Sequence, residues 1–161
     1  MKGGVWVDNT CMNEIDTAKM RAVSAPWKDF VNKFADLLGD VEDAPLPVEQ
    51  HIYAGVYTRT GCQKAGIVCA TALVKVPTQL IVSGHCRIWC EDQMFEVNGY
   101  KVLEGMAGRQ MIVYTIEDTW ATVLFATDAK TPEEAEAEAV GEQVFMRLSN
   151  HHLKESMKCL H

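Results

Sequence analysis

The apolar and polar positions of this chain change period twice. Between Trp27 and Leu38 the apolar residues Trp27, Phe30, Val31, Phe34, Leu37 and Leu38 recur at spacings of three and four. That period puts them on one face of a helix running from Pro26 or Trp27 to Leu38. Pro26 suits the first helical turn and Gly39 the stop. The stripe has to be buried, either on the rest of the chain or on a second subunit. A shorter helix is expected before it, capped by Asn13 or Asp16, with Ile15, Met20 and Val23 on one face. Pro26 then forces a boundary at Ser24 or Ala25, because the residue before a proline avoids the α region.

From His51 to Asp128 the pattern becomes that of strands. His51 to Thr58 is rich in strand formers, and Thr60-Gly61 and Lys64-Ala65-Gly66 punctuate it. Ile67 to Lys75 and Gln79 to Ser83 are near-continuous apolar runs broken by Val76-Pro77-Thr78, with Ser83-Gly84 as a turn. A hairpin is expected across Glu91-Asp92-Gln93, and another at Asn98-Gly99, the strongest short hairpin signal in the chain. Tyr100 to Leu103, Met111 to Ile116 and Trp120 to Ala126 follow, the last two joined across Glu117-Asp118-Thr119. About eight short strands separated by turns predict an antiparallel sandwich or barrel.

The period returns to helical after Thr131. Thr131, Pro132 and Glu134 form an N-cap, first-turn proline and capping box. Val140, Val144, Phe145 and Leu148 supply the stripe, and the helix is expected to run on to basic residues Arg147, His151, His152 and Lys154, which complement its dipole. Four segments result: a helical extension (1–40), an acidic proline-containing linker (41–50), a β-domain (51–128), and a C-terminal helix and tail (129–161).

Charge and composition narrow the picture. With 161 residues the chain can bury about two-thirds of its unfolded surface, so no metal or disulfide staple is needed. The net charge of −7 is concentrated in two runs, Asp36, Asp40, Glu42, Asp43 and Glu49, then Glu133, Glu134, Glu136, Glu138 and Glu142. Such runs are solvated flanks or a face for a basic partner. No basic stripe exists, so nucleic acid is disfavoured as a partner. No apolar run approaches the roughly 20 residues that span a bilayer, so no membrane association is expected. Acids follow the N-terminus almost at once, which leaves no secretory h-region. The six cysteines include no C-x-x-C pair, and Cys69 sits in an apolar strand as a small hydrophobe. A reducing, cytoplasmic setting is the simpler expectation.

Few residues carry recognisable chemistry. Cys86 and Cys90 flank a possible zinc site with His85, yet four strand residues span about 13 Å, and only a turn would close that distance. No G-x-S-x-G elbow and no phosphate-cradling glycine loop is present, and no catalytic residue is assigned. Lys75 alternates outward between Val74 and Val76. Trp89, Phe95, Tyr100, Tyr114 and Trp120 either line a cavity or pack across strands.

The order of several short motifs carries a resemblance: Gly55-Val56-Tyr57-Thr58-Arg59, Ala65-Gly66, Ile81-Val82-Ser83-Gly84, Glu91-Asp92, Gly108, Tyr114, Glu117-Asp118-Thr119 and Ala126-Thr127-Asp128. Over residues 51–128, about half the chain, this resembles cupin-like proteins of unknown role from tailed phages and prophages. The resemblance implies a mainly β fold, a cupin-like double-stranded β-barrel (jelly roll), with N-terminal helices and a C-terminal helix. Cupins that bind metal use a His-x-His group and a later histidine. Here those positions fall near Val74, Val76 and Thr78, and near Met111 or Phe125, so no metal and no cofactor are implied. The barrel interior is expected to be lined by Val74, Val76, Met111, Val123 and Phe125, which are the candidate ligand-binding residues. The leading expectation is a non-catalytic phage or prophage accessory protein acting by protein–protein contact, as a homodimer or with a host or phage protein. The alternatives are a binder of a nucleotide or metabolite, and a metal-dependent cupin enzyme with atypical ligands such as His51 or His85.

Overall fold

The computed structural model describes residues 18–39, 46–141 and 146–149. In chain order the elements are β1 (Ala18–Met20), α1 (Ala25–Gly39), β2 (Val48–Tyr53), β3 (Val56–Gln63), β4 (Val68–Thr71), β5 (Thr78–Cys90), β6 (Gln93–Gly105), β7 (Ile112–Thr115), β8 (Thr119–Ala126), α2 (Pro132–Val140) and β9 (Met146–Ser149).

A long ribbon of β5 and β6 organises the rest. The two strands pair along their whole length, from Thr78 opposite Gly105 to Cys90 opposite Gln93. On its other edge β5 pairs first with β8, over Gln79 to Ser83, and then with β7, over Cys86 to Trp89. The ribbon therefore passes from one sheet into the other. One sheet continues outward through β8, β3 and β2, and the other through β7, β4 and β9. The apolar faces of both sheets enclose the core, where Leu80, Val82, Ile88, Val97 and Leu103 are buried. This is a cupin-like double-stranded β-barrel with one helix before it in the chain and one after.

Two glycines make the bend. Gly84 lies at φ 143° and its partner across the ribbon, Gly99, at φ 106°. Both expected turns, Ser83-Gly84 and Asn98-Gly99, are corrected here: they sit in mid-strand. The positive φ that marks a hairpin dipeptide serves equally to fold a continuous ribbon over a barrel edge. The hairpin at Glu91-Asp92 is present, with Glu91 at φ 58°. A turn within the His51 to Thr58 run was missed. Ala54 and Gly55 both have positive φ, which makes a two-residue hairpin loop between β2 and β3. Thr60-Gly61 lies inside β3, and only Val68 to Thr71 of the Ile67 to Lys75 run forms a named strand.

The segment before α1 straps the barrel shut. β1 runs parallel to the end of β6, pairing Met20 with Gly105. The chain then crosses to the opposite end of the ribbon, where the Arg21 amide donates to Gln93 Oε1 at 2.9 Å and its guanidinium pairs with Asp92 at 2.9 Å. Ser24 hydrogen-bonds Glu91, and the Val23 amide donates to the Gly108 carbonyl at 3.0 Å. Residues 18–24 thus tie together the two ends of a ribbon that curls back on itself. Met20 and Val23 are buried as expected, but in this strap rather than in a helix. Asn13, Ile15 and Asp16 lie outside the described residues.

α1 matches its expected span. Val31 and Leu38 pack on Val68, Ala70 and Ile112, and Trp27 Nε1 donates to the Gln110 carbonyl at 2.9 Å. The stripe is only partly covered, because Phe30 and Leu37 remain 52% and 72% exposed. α2 begins as expected, with Thr131 Oγ1 accepting from the Glu134 amide at 3.3 Å. It ends at Gly141, φ 70°, rather than near Lys154. Arg147 and Leu148 belong to β9, which pairs with the edge of β4. A free strand edge outcompetes a helical period that Gly141 already interrupts. Val144, Phe145, His151, His152 and Lys154 lie outside the described residues.

Candidate functional site

The two sheets enclose a cavity of about 50 Å³. Alternation along β5, β7 and β8 turns Leu80, Val82, Val113 and Val123 into it, and Met111 enters from the position just before β7. Val74 joins them from the loop after β4, held by a bridge to Arg109 in which the Val74 amide donates to the Arg109 carbonyl at 2.9 Å. Three expected interior residues, Val74, Met111 and Val123, therefore face this space. The other two do not line it. Val76 and Phe125 pack beneath α2 with Tyr57, Ala135 and Ala139. The Phe125 ring centroid is 4.9 Å from that of Tyr57, and Phe125 borders an open outer groove of about 860 Å³ instead.

Charge in the barrel interior was not foreseen. Arg109 is 0% exposed and lines the cavity. It follows the loop of Gly105 to Gly108, where Gly108 at φ 85° donates its amide to the Val74 carbonyl at 2.7 Å. The guanidinium lies against Gly105 so closely that a Cβ there would come within 2.6 Å of Cζ. Its Nε, Nη1 and Nη2 have no hydrogen-bond acceptor among the described residues. Burial lowers its pKa to about 10, opposed by Cys90, so it stays cationic at neutral pH. No single-sequence signal marks it: an arginine after a glycine-bounded loop reads as surface.

Next to it, Gln110 Nε2 bridges Asn32 Oδ1 at 2.9 Å and the Thr71 carbonyl at 3.2 Å, which seals the interior beneath α1. Arg59 also reaches the cavity from β3, and it is paired with Glu136 of α2 at 3.3 Å. Glu136 accepts from Gln50 Nε2 at 2.6 Å and from the Tyr57 hydroxyl at 3.2 Å. Burial, and then the Glu136 carboxylate, push the Tyr57 phenol above its ordinary range. Burial holds the Arg59 guanidinium below its usual value despite Glu136.

The residues proposed for metal chemistry are dispersed. His51 is exposed on β2, and His85 Nε2 lies 3.3 Å from Glu96 on β6. Cys86 and Cys90 are buried on an uninterrupted β5, so the turn that would bring them together does not form. Burial raises the Cys86 thiol to about 11 and the Cys69 thiol to about 12. Among the described residues, no three of His, Cys, Asp and Glu gather as a metal site. Of the aromatic set, Tyr100 and Trp120 are exposed, and none lines the cavity. Among the described residues no helix is long and apolar enough to cross a membrane.

No protein-family model matches the chain, and no curated protein is significantly similar to it. Solved structures do resemble it in fold. An ectoine synthase from P. lautus is 11% identical over 67% of this chain and 82% of that one, with a TM-score of 0.48. An RmlC-like cupin family protein with a double-stranded β-helix fold from Methanocaldococcus jannaschii is 16% identical over 58% and 87%, with a TM-score of 0.45. A cupin superfamily protein from Desulfitobacterium hafniense is 14% identical over 57% and 88%, with a TM-score of 0.43.

Proposed function

We propose that this is a non-catalytic accessory protein, phage or prophage encoded and working in the cytoplasm of the bacterial host, that acts by protein–protein contact from a metal-free cupin-like scaffold. The observation that carries the reading is the uncovered half of α1. Phe30 and Leu37 stand in solvent next to half-buried Trp27 and Phe34, and the Phe30 and Phe34 rings stack at 6.3 Å. A continuous aromatic ridge of this kind marks a contact surface.

The occupant is a second copy of this chain. Lys33 follows the ridge on its open side, with Asp29 and Asp36 beyond it, so two α1 helices crossing antiparallel about a two-fold axis set opposite charges beside a shared apolar seam. Sedimentation at micromolar concentration is expected to show a dimer, and Phe30→Asp with Leu37→Asp a folded monomer whose melting temperature no longer depends on protein concentration. A monomeric wild type at those concentrations overturns the homodimer.

A second reading, small-molecule binding, is favoured by the arginine inside the barrel. The space of about 50 Å³ excludes a nucleotide there, so that reading narrows to small ligands.

A further inference from the structure

We propose that the barrel interior is a binding site for a small monocarboxylate, formate to propionate in size, gripped by Arg109. This inference rests on the interior and not on dimerisation through α1.

A buried guanidinium without acceptors is strongly disfavoured unless an anion meets it. Arg109 cannot escape to water. Gly105 packs against its guanidinium, the backbone on either side is bonded to Val74, and the strap through Met20 and Val23 lies along the adjoining ribbon end. It cannot neutralise itself either, because an arginine keeps its proton at neutral pH. Folding therefore holds a fixed positive charge, with its N–H donors, at the wall of an enclosed space.

The surroundings define what meets it. Arg59, the other cation at the cavity, already has Glu136 as counter-ion. Among the described residues one unbalanced charge remains, which a monoanion cancels and a phosphate dianion overshoots. The planar fork of a guanidinium matches the two oxygens of a carboxylate. The remaining wall is apolar, with Val74, Leu80, Val82 and Met111 in reach of a methyl or ethyl tail. The volume of about 50 Å³ admits a few heavy atoms and no more.

The test is thermal unfolding and titration calorimetry of the full chain with sodium acetate and sodium propionate. Sodium chloride at equal ionic strength and the neutral isostere acetamide serve as controls. At a ligand concentration about a hundredfold above Kd, linkage raises the melting temperature of a chain this size by about 5–10 °C. Arg109→Met is expected to abolish that rise. Its melting temperature without carboxylate should equal or exceed that of the wild type, since an apolar side chain of similar length replaces an unpaired buried charge. Arg109→Lys keeps the charge without the fork and should weaken binding about tenfold. The proposal is overturned if carboxylates stabilise the wild type no more than chloride does, or if Arg109→Met keeps the full shift. If Arg109→Met does not fold, Arg109→Lys decides: weakened binding supports the site and unchanged affinity removes it. Sedimentation of α1 variants reads a different quantity, so either proposal can fail alone.

Discussion

Replacing Gly84 by alanine adds one methyl group where the β5–β6 ribbon folds over the barrel edge, and it should be among the most damaging single changes to the fold. Two penalties combine. At φ 143° the backbone occupies a region that L side chains avoid, which costs about 1–3 kcal/mol. The new Cβ would also sit 2.6 Å from Thr119 Oγ1, 2.7 Å from the Asp118 carbonyl oxygen and 2.7 Å from Thr119 Cα. Two of those three atoms are backbone and cannot rotate aside. Thr119 is held as well, its hydroxyl accepting from the His85 amide at 3.1 Å and reaching the Glu117 carbonyl at 2.8 Å. Overpacking of this kind costs a further 1–3 kcal/mol or so.

Gly99 provides an internal control. It faces Gly84 across the ribbon at φ 106°, but a Cβ there meets nothing within 4 Å. Gly99→Ala therefore carries only the conformational penalty. The difference between the two variants isolates the contact with β8, about 1–3 kcal/mol, or about 2–12 °C in melting temperature. Urea denaturation with matched m-values gives the same difference independently. If Gly84→Ala is no less stable than Gly99→Ala, the fold of the ribbon against Thr119 is not as described.

Two further outcomes follow from the titratable groups. Asp118 pairs with Lys64 at 2.6 Å and accepts from the Ala65 amide at 3.0 Å, which holds its carboxyl below the usual range. A depressed carboxylate stabilises the fold above its unfolded pKa and loses that contribution as the pH falls through the folded value. The gap in melting temperature between wild type and Asp118→Asn should therefore be present at pH 6, close toward pH 3 and shrink in high salt; a gap that grows in acid contradicts the pairing. Burial keeps the Cys69, Cys86 and Cys90 thiols protonated. Iodoacetamide at pH 8 should therefore spare them in the native protein while modifying half-buried Cys62, as peptide mass spectrometry would show. Native labelling of Cys69 at its rate in urea refutes this.

Several elements were legible because short-range interactions decide them. α1 was expected from Pro26 or Trp27 to Leu38 and runs Ala25–Gly39, since its period and end residues lie within one stretch. The Thr131 cap and the Glu91-Asp92 turn are of the same kind. The resemblance, which rests on the order of motifs, was enough to expect Val74, Met111 and Val123 inside, while Val76 and Phe125 went to a second cluster that α2 creates by packing there. Asn98-Gly99 and Ser83-Gly84 misled because a glycine's permitted φ is the same for a hairpin and for a bent ribbon. The length of α2 was misjudged because a helical period from Val140 to Leu148 carries no information about the open edge of β4.

The amino-acid pattern by itself thus determined the class of the fold, the span of the first helix and the mostly apolar character of the interior. These depend on contacts between residues a few positions apart or on simple alternation. What only the tertiary structure decided is where the barrel closes and what that closure buries. Residues 18–24 meet both ends of a ribbon whose partners lie about 70 to 85 positions away. Arg109 is enclosed because those ends converge. A charge that local pattern assigns to the surface becomes an interior group when distant segments shut around it, and no local propensity records that event.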